Sequence, residues 1–216
     1  EDTSKTSVYL KNLIELGIVE REFSVDSKSK EKANSNRGTY RLTDNFFRFW
    51  YAFGFTNISQ LEDGDVEGVY DYVIAPALQE FASYTFEDVC KEFVKELQKK
   101  NALPFRYSKM GRWTGKTTVR DKDKPNGVRI AETEVDILGI GKSEKEYLVG
   151  ECKFKNTPFD YSEYLDTVTK LTPLKEGAKF YYALFSESGF DSKVVSEADN
   201  NDNVTLYNLN QIVNYK

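Results

Sequence analysis

The sequence of 216 residues predicts an α/β fold, with a small helix-and-hairpin part ahead of a larger domain built on a mixed central sheet. Three observations support this prediction. Helical periodicity of apolar residues occurs in the first half of the chain, and strand-like apolar runs occur in the second half. The hydrophobic fraction of 39% is enough for one good core or two small ones.

Residues 1–45 predict the second half of a winged-helix domain. Residues 6–16 carry apolar side chains at helical spacing, and Gly17 follows as a C-terminal cap. A charged segment at residues 24–37 would be the wing between two strand-like runs. These runs are residues 18–23 and 38–42. Winged helices bind DNA or serve as packing modules, and the near-neutral charge of this part leaves both roles open.

Residues 46–82 predict an aromatic helical connector. Its first ten residues hold seven aromatic side chains, too many for a solvent-facing helix, so we expect core between the flanking parts or contact with a partner. Helices are expected over residues 65–80 and 83–99. Glu87 leans toward the apolar face of the second helix and could reach a site on the sheet, or it is an ordinary first-turn glutamate. That face consists of Phe86, Val89, Cys90, Phe93, Val94 and Leu97.

Residues 83–216 predict the larger α/β domain. Apolar runs at residues 133–140 and 147–155 flank a polar turn and together predict a β-hairpin. The elements expected after it are a helix over residues 161–174, a buried strand over residues 180–185 and a short closing strand over residues 204–206.

The first strand of this hairpin alternates acidic and apolar residues. Because successive side chains of a strand point to opposite faces, Glu134 and Asp136 should share one face. Val135 and Ile137 should share the other. The alternative to a functional site is an ordinary antiparallel strand with one face in solvent, which shows the same alternation of charged and apolar residues.

The second strand contributes the string Glu151-Cys152-Lys153. Alternation places Glu151 beside Lys153 and turns Cys152 away. Three carboxylates and one ammonium group would then converge on one side of the hairpin. Hard divalent cations such as Mg²⁺ take oxygen ligands and keep several waters for chemistry. The pattern therefore predicts a metal site with a lysine beside it.

Composition excludes several classes of protein. With no histidine in the chain, neither a Ser-His-Asp or Cys-His nucleophile nor a histidine-ligated zinc site can be built. Cys90 and Cys152 lie at predicted core positions, which indicates buried thiols in a reducing cytoplasm. We find neither a signal peptide nor an apolar stretch of transmembrane length, and expect a cytoplasmic protein without a membrane partner. Because Met110 is the only methionine, a chain that begins at Glu1 is expected to be a piece of a longer protein.

The net charge of -5 is unevenly distributed. Residues 101–130 contain eight Lys and Arg against two Asp. Basic residues interleaved with aromatic ones suit a nucleic-acid phosphate backbone, and a solvated mobile loop explains them equally well. Residues 111–117 look like a P-loop, but three residues separate the glycines where four are needed, so we expect no nucleotide site there. The candidate phosphate-binding residues are Arg106, Lys109, Arg112, Lys116, Arg120 and Lys122.

A helix, a strand with Asp136, a turn and a strand with Glu151-x-Lys153 together resemble the PD-(D/E)xK nuclease superfamily. The resemblance implies a restriction-endonuclease-like fold and Mg²⁺- or Mn²⁺-dependent hydrolysis of DNA phosphodiesters. It makes these three residues catalytic, with Lys153 orienting the attacking water. The implied metal ligands are Asp136, Glu151 and the backbone carbonyl of Cys152. The implied accessory acids are Glu87 and Glu134.

Several separated motifs resemble the C-terminal part of archaeal-type P-loop ATPases, where a winged helix and a domain of unknown function follow the ATPase domain. The motifs are residues 40–50, 86–90, 111–113, 134–137, 150–154 and 184–190. This resemblance spans nearly the whole chain and implies that ATP binds an upstream domain that would be this chain's partner. Three functions stay open: a metal-dependent endonuclease, a catalytically silent module that regulates or assembles the ATPase, and a DNA-binding winged helix without cleavage. The oligomeric state is also open.

Overall fold

The computed structural model describes residues 3–28, 38–121, 123–125, 127–171, 175 and 177–215. For residues 3, 4, 118–120 and 128 it describes the backbone alone. The chain divides into two compact units, one of residues 1–23 and 27–81 and the other of residues 24–26 and 82–216. Among the helices in the described ranges, none has the length and apolar character needed to cross a membrane.

The first unit begins with helix α1 (Thr3–Glu15) and a hairpin of β1 (Val19–Glu22) and β2 (Thr39–Leu42). Gly17 has φ of 71°, and the following N–H of Ile18 donates to the carbonyl of Leu13 at 3.0 Å. Glycine adopts this left-handed conformation without strain and so ends the helix. The predicted helix and hairpin are confirmed. Most of the predicted wing, residues 29–37, lies outside the described residues, and the winged-helix assignment stays a prediction.

The aromatic connector is helical, as expected, but it is not core. Phe53 is buried, whereas Phe46, Tyr51 and Phe55 are all more than half exposed. The expectation that these side chains form core is therefore wrong for most of them, and contact with a partner stays a prediction. The run consists of α2 (Asn45–Phe49), a π-helical turn (Trp50–Gly54), a 3₁₀ turn (Phe55–Asn57) and α3 (Ile58–Glu62).

The two predicted helices that follow are joined. Helix α4 (Val66–Val69) leads through a π-helical turn (Tyr70–Ile74) into the 25-residue helix α5 (Ala75–Lys99). The predicted interruption near residue 82 is absent from α5. Most of the predicted apolar face is buried, but Val89 is 39% exposed and does not belong to it. The buried members are Phe86, Cys90, Phe93, Val94 and Leu97.

A five-stranded mixed sheet forms the core of the second unit, in the order β3-β4-β5-β6-β7. The strands are β3 (Tyr107–Arg120), β4 (Val128–Gly141), β5 (Glu146–Lys153), β6 (Lys179–Ser186) and β7 (Val204–Asn208). β3, β4 and β5 pair antiparallel, while β5, β6 and β7 pair parallel. The predicted hairpin and the two later strands are confirmed, and β3 is a strand that the sequence did not indicate.

Helices cover both faces of this sheet. α5 and α8 (Leu209–Val213) pack on one face through a cluster that includes Ile137 and Phe185. On the other face lie α6 (Tyr161–Thr169) and α7 (Ser192–Asn200), whose side chains pack on Leu184 and Val204. α6 ends five residues before the predicted limit of 174, and neither α7 nor α8 was predicted. Since both faces are covered there, Asp136 on β4 and Glu151 on β5 are buried, whereas Lys116 on the edge strand β3 is exposed.

Candidate metal and catalytic site

Asp136 lies where the pairing of β3 with β4 is interrupted. The register shifts at Arg112, so that Asp136 and Ile137 together oppose that single residue. Such a β-bulge is common beside active sites because it redirects a side chain. Val135 and Ile137 consequently pack in clusters on different faces of the sheet. The prediction that they share a face is wrong.

The carboxylate of Asp136 is fixed by the neighbouring strand. The ladder between β4 and β5 reaches Ile137 opposite Gly150, and beyond it Oδ2 of Asp136 accepts a hydrogen bond from the N–H of Cys152 at 2.8 Å. Asp136 is only 7% exposed. Burial and then the charge of Glu151 raise its pKa to about 6, although the Cys152 N–H acts in the opposite direction. Asp136 can therefore change its charge near neutral pH.

Glu151 is buried between two ammonium groups. Nζ of Lys153 lies 2.8 Å from Oε1, and Nζ of Lys170 lies 2.5 Å from Oε2. Burial works to raise the pKa of Glu151, but Lys170 and Lys153 outweigh it and lower that pKa. Burial likewise works to lower the pKa of Lys153, and the Glu151 carboxylate reverses this and raises it. The group is thus an ionised cluster, with β5 placing Glu151 and Lys153 together as predicted.

Lys170 was not among the predicted site residues. It follows α6, and its backbone carbonyl accepts a hydrogen bond of 2.5 Å from the hydroxyl of the buried Thr117 on β3. A lysine at the C-terminal end of a helix is ordinarily a partner of the helix dipole. For that reason no local pattern in the sequence distinguishes Lys170. Only the tertiary fold brings it to Glu151.

The two accessory acids differ in their surroundings. Arg112 places Nη2 2.6 Å from Glu134 and Nη1 3.5 Å from Glu87. Burial, and then the charge of Asp136, raise the pKa of Glu87 to about 7, with Arg112 opposing. Glu87 therefore borders the Asp136 site, as the helical spacing allowed. Glu134 is more exposed and is held by Arg112 instead.

The three carboxylates predicted on one side of the hairpin do not converge. Within the described part of the chain, no three Asp, Glu, Cys or His side chains form a group that could hold a metal ion. Asp136 and Glu151 interact with each other, and Glu134 does not join them. Cys152 contributes its backbone here, while its side chain is turned to the α5 face near Cys90, as expected for a strand. Both cysteines are free thiols.

Residues 107–120 of the basic segment form the edge strand β3, Lys124 lies in the turn that follows, and Arg129 lies on β4. Residues 111–117 lie within β3, so they form no phosphate-cradling turn. Lys109 and Lys116 are exposed, whereas two carboxylates hold Arg112. Arg106 donates a hydrogen bond to the side chain of Asn101. The Arg120 side chain and Lys122 lie outside the described residues.

Residues 24–26 form hydrogen bonds with the middle of β3. The N–H of Val25 donates to the carbonyl of Arg112 at 2.9 Å, and Nε1 of Trp113 donates to Asp26 at 2.8 Å. The hydroxyl of Ser24 accepts a hydrogen bond from the N–H of Thr114. These bonds hold the strand that carries Arg112 beside the bulge.

A family model described as archaea bacterial proteins of unknown function, DUF234, matches residues 50–165, which is more than half of the chain. The chain belongs to this family. Membership is consistent with the predicted C-terminal domain of archaeal-type ATPases. The matched range contains Glu87, Asp136, Glu151 and Lys153 and ends before Lys170.

A relative of the chain is the uncharacterized protein MJECL04 of Methanocaldococcus jannaschii, 33% identical over 156 residues. The match covers 71% of this chain and 30% of that protein, so the chain spans less than a third of its relative. Among solved structures, protein VC1899 from Vibrio cholerae aligns over 96% of this chain and 40% of its own. With 13% identity and a TM-score of 0.37, this likeness supports no assignment of fold or function.

Proposed function

We propose that the chain is a metal-dependent nuclease-like domain that hydrolyses DNA phosphodiesters at a PD-(D/E)xK site. The observation that carries the proposal is the buried cluster of Asp136, Glu151 and Lys153 where β4 and β5 diverge, with both carboxylates less than a tenth exposed. Buried charges are uncommon unless they are paired or bind a ligand. Grouped perturbed acids are also a physical signature of functional sites.

The donor atoms of this cluster suit a hard divalent cation. Asp136, Glu151 and the Cys152 carbonyl would hold Mg²⁺ or Mn²⁺, in keeping with the preference of Mg²⁺ for one or two carboxylates supplemented by water. When bound, such a cation supplies an activated water and offsets charge on the phosphate.

The protein's own groups have distinct roles in this proposal. Lys153 orients the attacking water and stabilises charge that develops on the phosphate. The Cys152 N–H keeps the Asp136 carboxylate in one orientation. Glu87, whose pKa is about 7, can take up or release a proton beside Asp136 at physiological pH. Lys170 acts as the counter-charge that keeps Glu151 ionised.

A cleavage assay on duplex, single-stranded and branched DNA, with Mg²⁺ or Mn²⁺, tests the proposal. We expect cleavage by the wild type, none with chelator, and none by Asp136→Asn. Glu132→Gln, an exposed acid on the same strand, is the control and should cleave normally. Cleavage that survives in chelator or in Asp136→Asn would show that the activity comes from elsewhere.

One observation favours a second function, a catalytically silent module that regulates or assembles an attached P-loop ATPase. Two lysines already neutralise Glu151, so less negative charge is available to attract a cation. Wild type that cleaves none of the three DNA forms with either metal would support this function. The family membership is compatible with it.

A further inference from the structure

The helical connector presents an aromatic surface to solvent. We define the aromatic face as six side chains of α2, the π-helical turn, the 3₁₀ turn and α3, each between 36% and 67% exposed. Phe46 and Trp50, Phe47 and Tyr51, and Tyr51 and Phe55 are each four residues apart, which makes them neighbours along the helical run. Tyr51 and Phe55 are in ring contact, with centroids 5.7 Å apart. The members are Phe46, Phe47, Trp50, Tyr51, Phe55 and Ile58.

Packing within the first unit supports the aromatic face from the opposite side of the helical run. The opposite side of the run packs Phe49 and Phe53 on Phe81, with ring centroids 5.2 to 5.9 Å apart. Trp50 lies so close over Gly54 that a Cβ at Gly54 would overlap its ring. π-helical turns such as this one are frequent at functional sites. The aromatic side chains are thus a formed surface supported by their own core.

The stretch of the first unit that carries the aromatic face is acidic in sequence. From residue 49 to residue 81 it contains six Asp and Glu and no Lys or Arg. Arg48 precedes this stretch, but its guanidinium lies over the ring of Phe81 on the packed side. Nucleic-acid phosphates and anionic lipids would be repelled by such a surface. Two copies meeting through the same face would also bring like charges together.

We propose that the aromatic face docks a protein segment that combines apolar and basic side chains, such as an amphipathic helix bearing lysines. Exposed apolar patches of this kind mark interaction sites in soluble proteins, and Trp and Tyr dominate binding energy at interfaces. The acidic residues of this stretch would speed encounter with a basic partner and disfavour an acidic one. This docking site is separate from the Asp136 cluster and does not depend on nuclease activity.

Two short amphipathic helical peptides test the proposal, one of leucine and lysine and one of leucine and glutamate. Binding to the 216-residue chain is followed by calorimetry and by acrylamide quenching of tryptophan. Trp113 is already buried, so a change in quenching reports Trp50. We expect the lysine peptide to bind and protect Trp50, and the glutamate peptide to bind about tenfold more weakly or not at all.

Variants separate docking from simple charge attraction. Tyr51→Ser with Phe55→Ser should weaken the lysine peptide about tenfold or more, while Ile130→Ser, an exposed apolar residue of the other unit, should leave it unchanged. If the double serine variant does not fold, the double variant Asp71→Asn, Glu67→Gln replaces it as the test. It should weaken binding of the lysine peptide about threefold. The proposal is overturned if the lysine peptide does not bind, if the double serine variant binds it as wild type does, or if a single-stranded oligonucleotide protects Trp50 instead.

Discussion

The ammonium of Lys170 lies 2.5 Å from Oε2 of Glu151, on the side of the carboxylate opposite Lys153. This pair joins the loop after α6 to the end of β5. Because Glu151 is almost fully buried, its charge is tolerated only through such partners. A divalent cation at this site would have to share Glu151 with Lys170, which makes the lysine a competitor as well as a counter-charge.

Lys170→Met should lower stability and raise metal affinity. Removing one ammonium from a buried carboxylate costs about 3 kcal/mol, and the same change frees Oε2 for a cation. Denaturant unfolding and Mn²⁺ titration measure the two effects. Lys155→Met, which removes an ion pair with the more exposed Glu163, is the control and should alter neither strongly. Equal metal affinity in wild type and Lys170→Met would show that the lysine does not compete.

Glu87→Gln should become more stable than wild type as pH rises. The folded pKa of Glu87 is about 7 against an ordinary 4.5, so stability linked to its proton is present below about pH 4.5 and is lost as pH rises through 7. The glutamine variant escapes this loss, which amounts to something on the order of 2 kcal/mol. Thermal melting from pH 5 to pH 8 measures it. Glu134→Gln, which removes the other carboxylate on Arg112, should not reproduce the gain.

Asp136→Asn and Asp136→Ala should differ in stability. Both remove the charge, but only asparagine can still accept the N–H of Cys152. An unpaired buried N–H costs about 1 to 3 kcal/mol, so the alanine variant should unfold at lower denaturant. Equal unfolding midpoints would contradict the hydrogen bond.

Neutralising Lys109 and Lys116 should flatten the salt dependence of DNA binding. Both side chains are exposed on β3, and loss of two phosphate contacts lowers the logarithmic slope by about 1.8 on duplex DNA. Fluorescence anisotropy at several salt concentrations measures the slope. Arg112→Ala should change it less, because Glu134 and Glu87 hold that guanidinium. An unchanged slope in the double lysine variant would assign these residues to a solvated strand face.

Much of the fold could be predicted from apolar periodicity. The hairpin of β4 and β5 and the strands β6 and β7 are buried, so their sequences carry strong apolar runs. β3 was not predicted, because an edge strand rich in Lys, Thr and Gly shows little apolar periodicity. The connector has a strong apolar signal instead, and its aromatic density predicts core. Most of its aromatic side chains are nevertheless exposed. Periodicity reports apolar faces and cannot say what covers them.

The candidate site was predictable only along single strands. Alternation placed Glu151 with Lys153 correctly, because β5 is regular there. It failed at Val135 and Ile137, because the bulge opposite Arg112 changes which face each residue takes. Lys170 could not be predicted at all, since its contact with Glu151 depends on tertiary packing. The local pattern therefore indicated which acidic and basic residues form the site. The contacts that determine their charge states depend on the tertiary fold.

Direct Mn²⁺ binding to the purified chain, measured by electron paramagnetic resonance, tests whether Asp136 and Glu151 form a cation site. We expect one bound ion per chain in the wild type, with affinity rising as pH increases past about 6, where Asp136 loses its proton. Asp136→Asn and Glu151→Gln should each abolish that binding, and Glu132→Gln should retain it. No binding by the wild type, or equal binding by Asp136→Asn, would contradict the metal site and the hydrolysis proposed from it.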